Sequence, residues 1–301
     1  MTKEKAGVTR HEIYEGDARD LSFIDTESIH FVCTSPPYGS LKAYPDHPGQ
    51  LGNIPCYEKF LNEMDEVWAE CMRILVPGGR IACVVGDVCI SRRNGGRHHV
   101  LPLSADFQVR SRRIGFDCLT PIRWMKVANI KLEASRSSRY LGKPNLPNGI
   151  VKNDIESILF FRKPGYRKPT PEMEARSFIP TDDYMKLFAP VWTDIAGQRR
   201  KNHPAPYPPE IPRRLIRMFS FAGDTVIDPF AGTGTTALAA LETGRHSISI
   251  DIEPAYVDVA EARIKSSKVT GQITVHRCPR RPEITAIPGT SQNQIALQNV
   301  D

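Results

Sequence analysis

The chain alternates between short apolar runs of strand length and longer segments in which apolar residues recur at helical spacing. The run 29–33 (IHFVC) predicts a buried strand, which the two prolines of the following Thr34-Ser35-Pro36-Pro37-Tyr38 end. Over 57–76, apolar residues recur every three to four positions, which predicts an amphipathic helix that ends at Pro77-Gly78-Gly79. A strand, a proline-rich loop and a helix therefore follow one another early in the chain.

The same two patterns continue to about Ser267. Further strands are predicted at 80–87, 119–126, 155–162, 225–228 and 246–251, and further helices at 101–114, 208–219, 235–243 and 254–264. The segments 127–153 and 163–200 lack such a pattern and are predicted to be irregular, the first as a long basic loop. Alternating strands and helices favour an α/β domain. Residues 268–301 are predicted to be a loosely attached tail.

Composition excludes several classes of protein. The 301 residues suffice for one large domain or two small ones, and 40% hydrophobic with 25% charged residues argue against collagen-like, coiled-coil and wholly disordered chains. The longest apolar runs are strand-sized and the amino terminus lacks the apolar core of a secretory signal, so we expect a cytoplasmic protein without a membrane segment. Seven cysteines without a C-x-x-C pair argue against a disulfide framework and a zinc cluster.

Charge is distributed unevenly along the chain. Residues 89–143 contain 12 Lys or Arg and 3 Asp or Glu, a local charge of +9, whereas the whole chain carries +6. This asymmetry favours a local surface for a polyanion such as nucleic acid. The alternative is a solvated loop with an excess of arginine.

A glycine-rich unit follows the strand predicted at 225–228. It reads Asp228-Pro229-Phe230-Ala231-Gly232-Thr233-Gly234-Thr235-Thr236, and its glycines allow backbone N–H groups to approach a ligand at the positive end of the next helix. Asp251 ends the following strand, where a carboxylate can accept both hydroxyls of a ribose. The spacing Gly232-x-Gly234-x-x-Ala237 also satisfies the dinucleotide fingerprint, so NAD, another adenosine cofactor and a tight turn without ligand stay open.

Thr34-Ser35-Pro36-Pro37-Tyr38 is the second motif with chemical potential. The motif places a polar side chain at the end of a buried strand, followed by two prolines and an aromatic ring. This composition is unusual for a plain turn, although a plain turn is the alternative interpretation. The Ser35 hydroxyl and the Pro36 carbonyl can accept hydrogen bonds from an amino group, and Tyr38 offers a face on which a planar base can stack. The motif therefore indicates a site that binds an amine on a planar ring.

Together the two motifs resemble those of the S-adenosylmethionine-dependent amino methyltransferases of DNA. Their order, with the reaction motif upstream of the cofactor motif, is similar to the circularly permuted β group, and further stretches match over about 12–265. The resemblance implies a doubly wound, mainly parallel Rossmann-like methyltransferase sheet, circularly permuted, with inserted DNA-recognition loops. It implies a catalytic domain at 1–267, divided into a reaction half (11–162), a target-recognition segment (about 163–200) and a cofactor half (201–267).

The resemblance also assigns roles to residues. Ser35, Pro36, Pro37 and Tyr38 would be catalytic, with the serine hydroxyl and the first proline carbonyl orienting the amino nitrogen of a flipped base. S-adenosylmethionine would be bound by Asp17, Thr34, His203, Pro204, Asp228, Pro229, Phe230, Ala231, Gly232, Gly234, Thr235, Thr236, Asp251 and Ile252. In this family a serine at the first motif position accompanies cytosine N4 methylation, and aspartate or asparagine accompanies adenine N6 methylation, so Ser35 favours cytosine.

Double-stranded DNA is the implied partner, and a functionally paired restriction endonuclease and a nucleoid-associated location are further expectations. The candidate DNA-binding residues are Arg92, Arg93, Arg97, Arg136, Arg139, Lys143, Arg199, Arg200 and Lys201. No metal is expected, because His98-His99 has no further ligand at suitable spacing. Pro55-Cys56 is similar to the nucleophile motif of cytosine C5 methyltransferases, but its surroundings do not match that family.

Four alternatives stay open at the level of sequence. They are adenine N6 methylation, a nicotinamide-dependent oxidoreductase, a nucleic-acid-binding module without catalysis, and RNA as the substrate. The oxidoreductase accounts for the glycine-rich unit but leaves the serine-proline motif and the +9 segment without a role.

Overall fold

The computed structural model describes residues 8–39, 45, 47, 49–90, 97, 99–126, 154–197, 208–269 and 271–277. The strands are β1 (Thr9–Glu15), β2 (Ile29–Thr34), β3 (Leu75–Val85), β4 (Val88–Ile90), β5 (His99–Leu101), β6 (Asp117–Met125), β7 (Ile155–Arg162), β8 (Val191–Trp192), β9 (Thr225–Asp228), β10 (His246–Asp251) and β11 (Gly271–Arg277). The helices are α1 (Tyr57–Ile74), α2 (Leu103–Ile114), α3 (Pro171–Arg176), α4 (Thr181–Leu187), α5 (Glu210–Phe219), α6 (Thr235–Glu242) and α7 (Pro254–Lys265), and a 3-10 turn covers Leu51–Asn53.

A mainly parallel sheet dominates the fold, in the order β11-β1-β10-β9-β2-β3-β7-β6-β8. All neighbours from β11 to β3 are parallel, and β7 runs antiparallel to both β3 and β6. The chain leaves β9 toward β10 on one side and leaves β2 toward β3 on the other, so the strand order reverses between β9 and β2. In open α/β sheets, ligands bind at the carboxyl ends of the strands beside such a switch point.

Helices cover both faces of the sheet, as the doubly wound prediction requires. Val32 of β2 packs in a core cluster with the apolar residues of α1 and α2, whereas Phe31 and Cys33 pack in a second cluster with α5 and α6. Successive side chains of a strand point to opposite faces, so a strand that is buried on both faces is apolar at nearly every position. The α/β, mainly parallel fold class is therefore confirmed.

Most predicted elements are present with small shifts in their ends. The strands predicted at 155–162, 225–228 and 246–251 match β7, β9 and β10. The prediction that the first helix extends to residue 76 is wrong, since α1 ends at Ile74 and Leu75 already pairs with Ile29 as the start of β3. The helix predicted from residue 101 begins at Leu103, because Leu101 pairs with Val88 in a hairpin that the pattern did not predict.

Two strands at one edge of the sheet escaped prediction. Two of the three buried positions of β1 carry polar residues, Thr9 and His11, and β11 has no fully buried position. His11 of β1 is fully buried, and its ring nitrogens bond to Ser247 Oγ (2.7 Å) and Thr9 Oγ1 (2.8 Å). β11 lies within the stretch predicted to be a loose tail and pairs in parallel with β1. At Gly271 an added Cβ would lie 2.7 Å from His11 Cδ2, so a glycine allows this close approach.

The described part of the segment predicted to be irregular, 163–197, contains α3, α4 and β8. Two indole groups fix it to the sheet: Trp192 Nε1 donates to Leu187 O (3.1 Å), and Trp124 Nε1 of β6 donates to Ile195 O (2.9 Å). Arg214 of α5 lies over the Trp192 ring and forms an ion pair with Asp194 (2.7 Å), which holds the pKa of Asp194 below its usual range. No helix within the described ranges is long and apolar enough to cross a membrane.

Candidate active site

The two predicted motifs meet at the switch point of the sheet. β2 ends at Thr34 and β9 ends at Asp228, and these adjacent parallel strands place the serine-proline loop beside the glycine-rich turn. Thr34 Oγ1 donates a 2.7 Å hydrogen bond to Asp228 Oδ1, although the two residues are 194 positions apart. The predicted juxtaposition of the motifs therefore holds in the structure.

The Asp228 carboxylate organises the turn from beneath. Its Oδ2 accepts from Thr236 Oγ1 at the start of α6 (2.6 Å), and its Oδ1 also accepts from Phe230 N (3.1 Å). Burial raises the pKa of Asp228 to about 6, against the opposing effect of these three hydrogen bonds. The same carboxylate thus joins the reaction strand, the turn and the following helix.

A cleft opens directly above this network. The space between its walls amounts to about 610 Å³ when the open mouth is included. Among the predicted catalytic and cofactor-binding residues, those that line the cleft are Asp17, Ser35, Pro36, Pro37, Pro229, Phe230, Gly232, Asp251 and Ile252. Loops from both halves of the chain therefore form its walls.

Several predicted cofactor-binding residues occupy a different place. Thr34, Asp228 and Thr236 are buried, bond to one another and do not line the cleft, so they support the turn. Ala231, Gly234 and Thr235 are also buried and are not in its wall. Buried hydroxyl and carboxylate groups satisfy one another because an unpaired polar group in the core is costly. His203 and Pro204 lie outside the described residues.

Asp251 is the carboxylate at the floor of the cleft. Its Oδ2 accepts from Gly232 N (2.7 Å) and its Oδ1 accepts from Glu253 N (2.9 Å). Burial raises the pKa of Asp251 to about 7, and the two backbone donors oppose that shift. Each carboxylate oxygen has lone pairs beyond the backbone bond, so both can still accept from a ligand hydroxyl.

The glycine turn itself is tightly packed against α7. Gly234 has φ +74°, and a Cβ there would lie 2.8 Å from the Cβ of Ala260. Arg263 on the same helix donates to Thr233 Oγ1 (2.7 Å) and to the Thr233 carbonyl. Sequence reasoning did not identify this arginine, because nothing near the motif in the sequence indicates which helix packs on it.

Further residues of the cleft were also not predicted. They are Gly16, Ala18, Gly49, Gln50, Leu51 and Tyr256. Asp17 does line the cleft as expected, but Arg19 holds its carboxylate through Nε (2.9 Å to Oδ1), and the same arginine contacts Glu63. Asp17 is therefore held in place by Arg19, which it shares with Glu63.

Tyr38 lies beside the cleft in a different set of neighbours. A Cβ added at Gly86, just after β3, would lie 3.7 Å from Tyr38 Cε1 and 3.2 Å from Glu156 Cγ. Glu156, at the start of β7, forms an ion pair with Lys126 at the end of β6. Tyr38, Glu156 and Lys126 therefore lie along the same edge of the sheet, between the serine-proline loop and the predicted target-recognition segment.

The DNA-binding predictions fall mostly outside the described residues. Arg97 is described and exposed, next to β5. The others, Arg92, Arg93, Arg136, Arg139, Lys143, Arg199, Arg200 and Lys201, lie outside the described ranges. Cys56 is exposed, precedes α1 and does not line the cleft. Within the described ranges, no group of three or more His, Cys, Asp or Glu side chains has the geometry of a metal site.

Comparison with known proteins identifies the family. Residues 29–262 match the N6_N4_Mtase family model, described as DNA methylase. The chain belongs to this DNA methylase family. Relatives in the family include the Type II methyltransferase M.MjaI of Methanocaldococcus jannaschii, 36% identical over 289 residues, covering 85% of this chain and 91% of the relative. The Type II methyltransferase M.MthZI of Methanothermobacter thermautotrophicus is 32% identical, covering 89% of this chain and 81% of the relative.

Solved structures of DNA methylases share the fold. TTHA0409 of Thermus thermophilus, solved in complex with S-adenosyl-L-methionine, has 43% identity and a TM-score of 0.72, covering 89% of this chain and 98% of that chain. PvuII DNA methyltransferase, described as cytosine-N4-specific, has a TM-score of 0.63 at 20% identity, covering 87% and 89% of the two chains, which is a likeness of fold. The recognition of a DNA amino methyltransferase is therefore confirmed at the level of the family.

Proposed function

We propose that this protein transfers a methyl group from S-adenosylmethionine to N4 of a flipped cytosine in double-stranded DNA. The observation that carries the proposal is that Ser35 and Pro36 line the same cleft as Gly232 and Asp251. One wall thus offers acceptors for an amino group, and the other offers a nucleotide-type turn. A plain turn in either motif would not require the two to share a cleft.

The carboxylate and the aromatic rings of the cleft fit S-adenosylmethionine. Asp251 can accept the ribose hydroxyls, and the rings of Phe230 and Tyr256 in the cleft wall can pack against a planar base. The ionised carboxylate also complements a cofactor that carries a positive sulfur. These residues would hold S-adenosylmethionine, as the complexed structure of the relative TTHA0409 supports.

The chain's own residues then orient the amine. The Ser35 hydroxyl and the Pro36 carbonyl each accept a hydrogen bond from the amino group of the base. The nitrogen lone pair is thereby directed away from conjugation with the ring and toward the methyl carbon. When bound, S-adenosylmethionine supplies an electrophilic methyl group, whose carbon–sulfur bond breaks as the nitrogen–carbon bond forms. The methylated nitrogen finally releases one proton to solvent. No covalent nucleophile of the protein is needed, which agrees with the absence of Cys56 from the cleft wall.

Separate residues would select the base and contact the DNA. Serine at position 35 favours cytosine, and Tyr38 provides the stacking face for the flipped base, whose extrusion costs a few kcal/mol. We assign target recognition to about 163–200 together with the basic residues, including Arg97, on the basis of their charge and order in the chain. The Type II names of M.MjaI and M.MthZI support a role in restriction–modification. A paired endonuclease and cytoplasmic, nucleoid-associated DNA as the substrate complete the proposal.

The test is nucleoside mass spectrometry of duplex DNA incubated with the protein and S-adenosylmethionine. We expect the wild type to produce N4-methylcytosine and the Ser35→Ala variant to produce no methylated base. Tyr38→Ala should lose most activity while Tyr38→Phe keeps most of it, because the ring and not its hydroxyl does the stacking.

Each rival predicts another result, in this assay or in a binding or competition measurement. N6-methyladenine as the sole product would overturn the cytosine assignment. Tight binding of NAD without S-adenosylmethionine would favour the oxidoreductase, and equal yields from Ser35→Ala and the wild type would contradict the proposed site. Competition between duplex DNA and RNA identifies the preferred polymer.

A further inference from the structure

A second cavity lies at the opposite end of the sheet from the methyl-transfer cleft. Its lining includes His30, Gly78, Arg80, Arg162, Arg167, Phe219 and one buried carboxylate, Asp224, and these residues define the basic hollow. Along β2, His30 is four residues before Thr34, which separates the two sites by about 13 Å of extended strand. The hollow encloses about 820 Å³ including its open mouth.

The arginines of the basic hollow are not equally neutralised. Arg162 pairs with Asp117 (2.7 Å), and Arg167 pairs with Asp224 (2.8 Å). Arg80 has no carboxylate partner within the described ranges, and its Nε is buried without a hydrogen-bond acceptor there. The positive charge of Arg80 is therefore in excess inside the hollow.

The excess positive charge of Arg80 destabilises the sheet. Arg80 and Arg162 are directly paired across β3 and β7, and like charges in opposite positions of adjacent strands destabilise a sheet. Burial and the neighbouring Arg162 lower the pKa of Arg80. The Arg80 guanidinium lies over the Phe219 ring, 5.3 Å from its centroid, a cation–π contact that offsets part of the charge but supplies no anionic partner. A buried, unpaired donor beside a like charge is the arrangement that an anion relieves.

The other lining groups also present donors. His30 Nδ1 accepts a hydrogen bond from Thr225 N (3.1 Å), so in the neutral ring the proton is on Nε2. The loop that carries Arg167 approaches β3 closely, since a Cβ at Gly78 would lie 3.2 Å from Gly165 O and 3.3 Å from Arg167 N. Gly78, with φ +79°, permits this contact. The hollow is therefore a defined arrangement of donors on three separate segments of the chain.

We propose that the basic hollow binds the phosphate group of a small molecule, with Arg80 as its principal ligand. The guanidinium fork of arginine matches phosphate oxygens. Arg167 and His30 Nε2 line the same wall but face Asp224, at 2.8 Å and 3.8 Å, so the phosphate would depend mainly on Arg80. A phosphate between Arg80 and Arg167 would link β3 to the start of the segment 163–197. The site is independent of the proposed methyl transfer, because it lies at the amino-terminal edge of the sheet.

The experiment is a phosphate titration of the full chain, with thermal unfolding as the readout and ionic strength held constant with chloride. We expect inorganic phosphate to raise the Tm of the wild type by at least about 2 °C at saturation. Arg80→Met should have a higher Tm than the wild type without phosphate, since it removes the like-charge pair, and should lose the phosphate response. The control, Arg112→Met at an exposed site on α2, should respond as the wild type does.

Four outcomes would overturn the proposal. One is the lack of a phosphate response in the wild type, and another is an equal response in Arg80→Met. If Arg80→Met does not fold, Arg80→Lys keeps the charge without the fork and should bind phosphate at least about fivefold more weakly; an unchanged Kd would reject Arg80 as the ligand. Ribose 5-phosphate, tested in parallel, distinguishes a phosphate ester from free phosphate. Displacement of phosphate by a short DNA duplex would reassign the hollow to DNA and contradict a small ligand.

Discussion

Thr34 and Asp228 are joined by a 2.7 Å hydrogen bond between the ends of two adjacent parallel strands. One residue begins the serine-proline loop, and the other begins the glycine-rich turn. The bond is fully buried, so its loss leaves a carboxylate oxygen with fewer donors and little access to water. This bond therefore couples the two halves of the candidate active site beneath the cleft, in addition to the pairing of β2 with β9.

Thr34→Val tests this coupling. The substitution keeps the shape of the side chain but removes the donor to Asp228, and we expect the free energy of unfolding to fall by about 1–3 kcal/mol. Affinity for S-adenosylmethionine should also fall, because the turn loses one of its hydrogen bonds to β2. Urea denaturation and cofactor titration measure the two effects. Thr34→Ser keeps the hydroxyl and should lose less in both measurements; equal losses in the two variants would contradict the coupling.

Cofactor affinity should depend on pH through Asp251. Its pKa is raised to about 7, so the carboxylate that we propose accepts the ribose hydroxyls becomes protonated as pH falls through 7. We expect the Kd for S-adenosylmethionine to increase about tenfold between pH 8 and pH 6, measured by calorimetry. Asp251→Asn should bind weakly and lose most of this dependence. The same slope in the variant would assign it to another group.

Gly234→Ala tests the packing of the glycine turn on α7. A Cβ at residue 234 would lie 2.8 Å from Ala260 Cβ, whereas at Gly244, with nearly the same φ, nothing lies within 4 Å. Gly244→Ala therefore reports the backbone strain alone, about 1 kcal/mol. We expect Gly234→Ala to lower the free energy of unfolding by about 1–3 kcal/mol more than Gly244→Ala does. It should also bind S-adenosylmethionine at least about tenfold more weakly than the wild type. Matching losses in the two variants would show that the contact with Ala260 does not matter.

His11 should make stability depend on pH. Burial lowers its pKa from 6.5 to about 4, so the unfolded chain binds a proton between these values and the folded protein does not. The contribution of His11 is complete above pH 6.5 and is lost as pH falls toward 4. Its full loss amounts to about 3 kcal/mol.

The raised pKa values of Asp228 and Asp251 act in the opposite direction between pH 4 and 7, so a comparison of variants is needed. The difference in unfolding free energy between the wild type and His11→Gln should shrink as pH falls from 7 to 4, since the carboxylates are common to both. A difference for His11→Gln that stays constant with pH would contradict the burial of His11 as a neutral ring.

Sequence reasoning reached the parts of the site that depend on local backbone chemistry. Prolines end β2 and glycines shape the turn after β9 through their own backbone angles, so Ser35 and Gly232 were identified as cleft residues before any contact was known. It did not separate residues that line the cleft from those that support it. Thr236 was predicted to bind the cofactor, yet its hydroxyl is buried on Asp228. The identity of a residue does not state whether its hydroxyl faces a ligand or another side chain.

The sequence by itself determined the alternation of strands and helices, the two motifs and their order, because apolar periodicity, proline and glycine act over a few neighbouring residues. Only the tertiary structure decided that Thr34 bonds to Asp228, that the polar strand β1 is buried, and that Arg80 faces Arg162 across the sheet. These facts depend on partners that are distant in the chain. Hydrogen bonding and charge pairing at such positions are properties of pairs, and the pairs exist only once the strands have taken their places in the sheet.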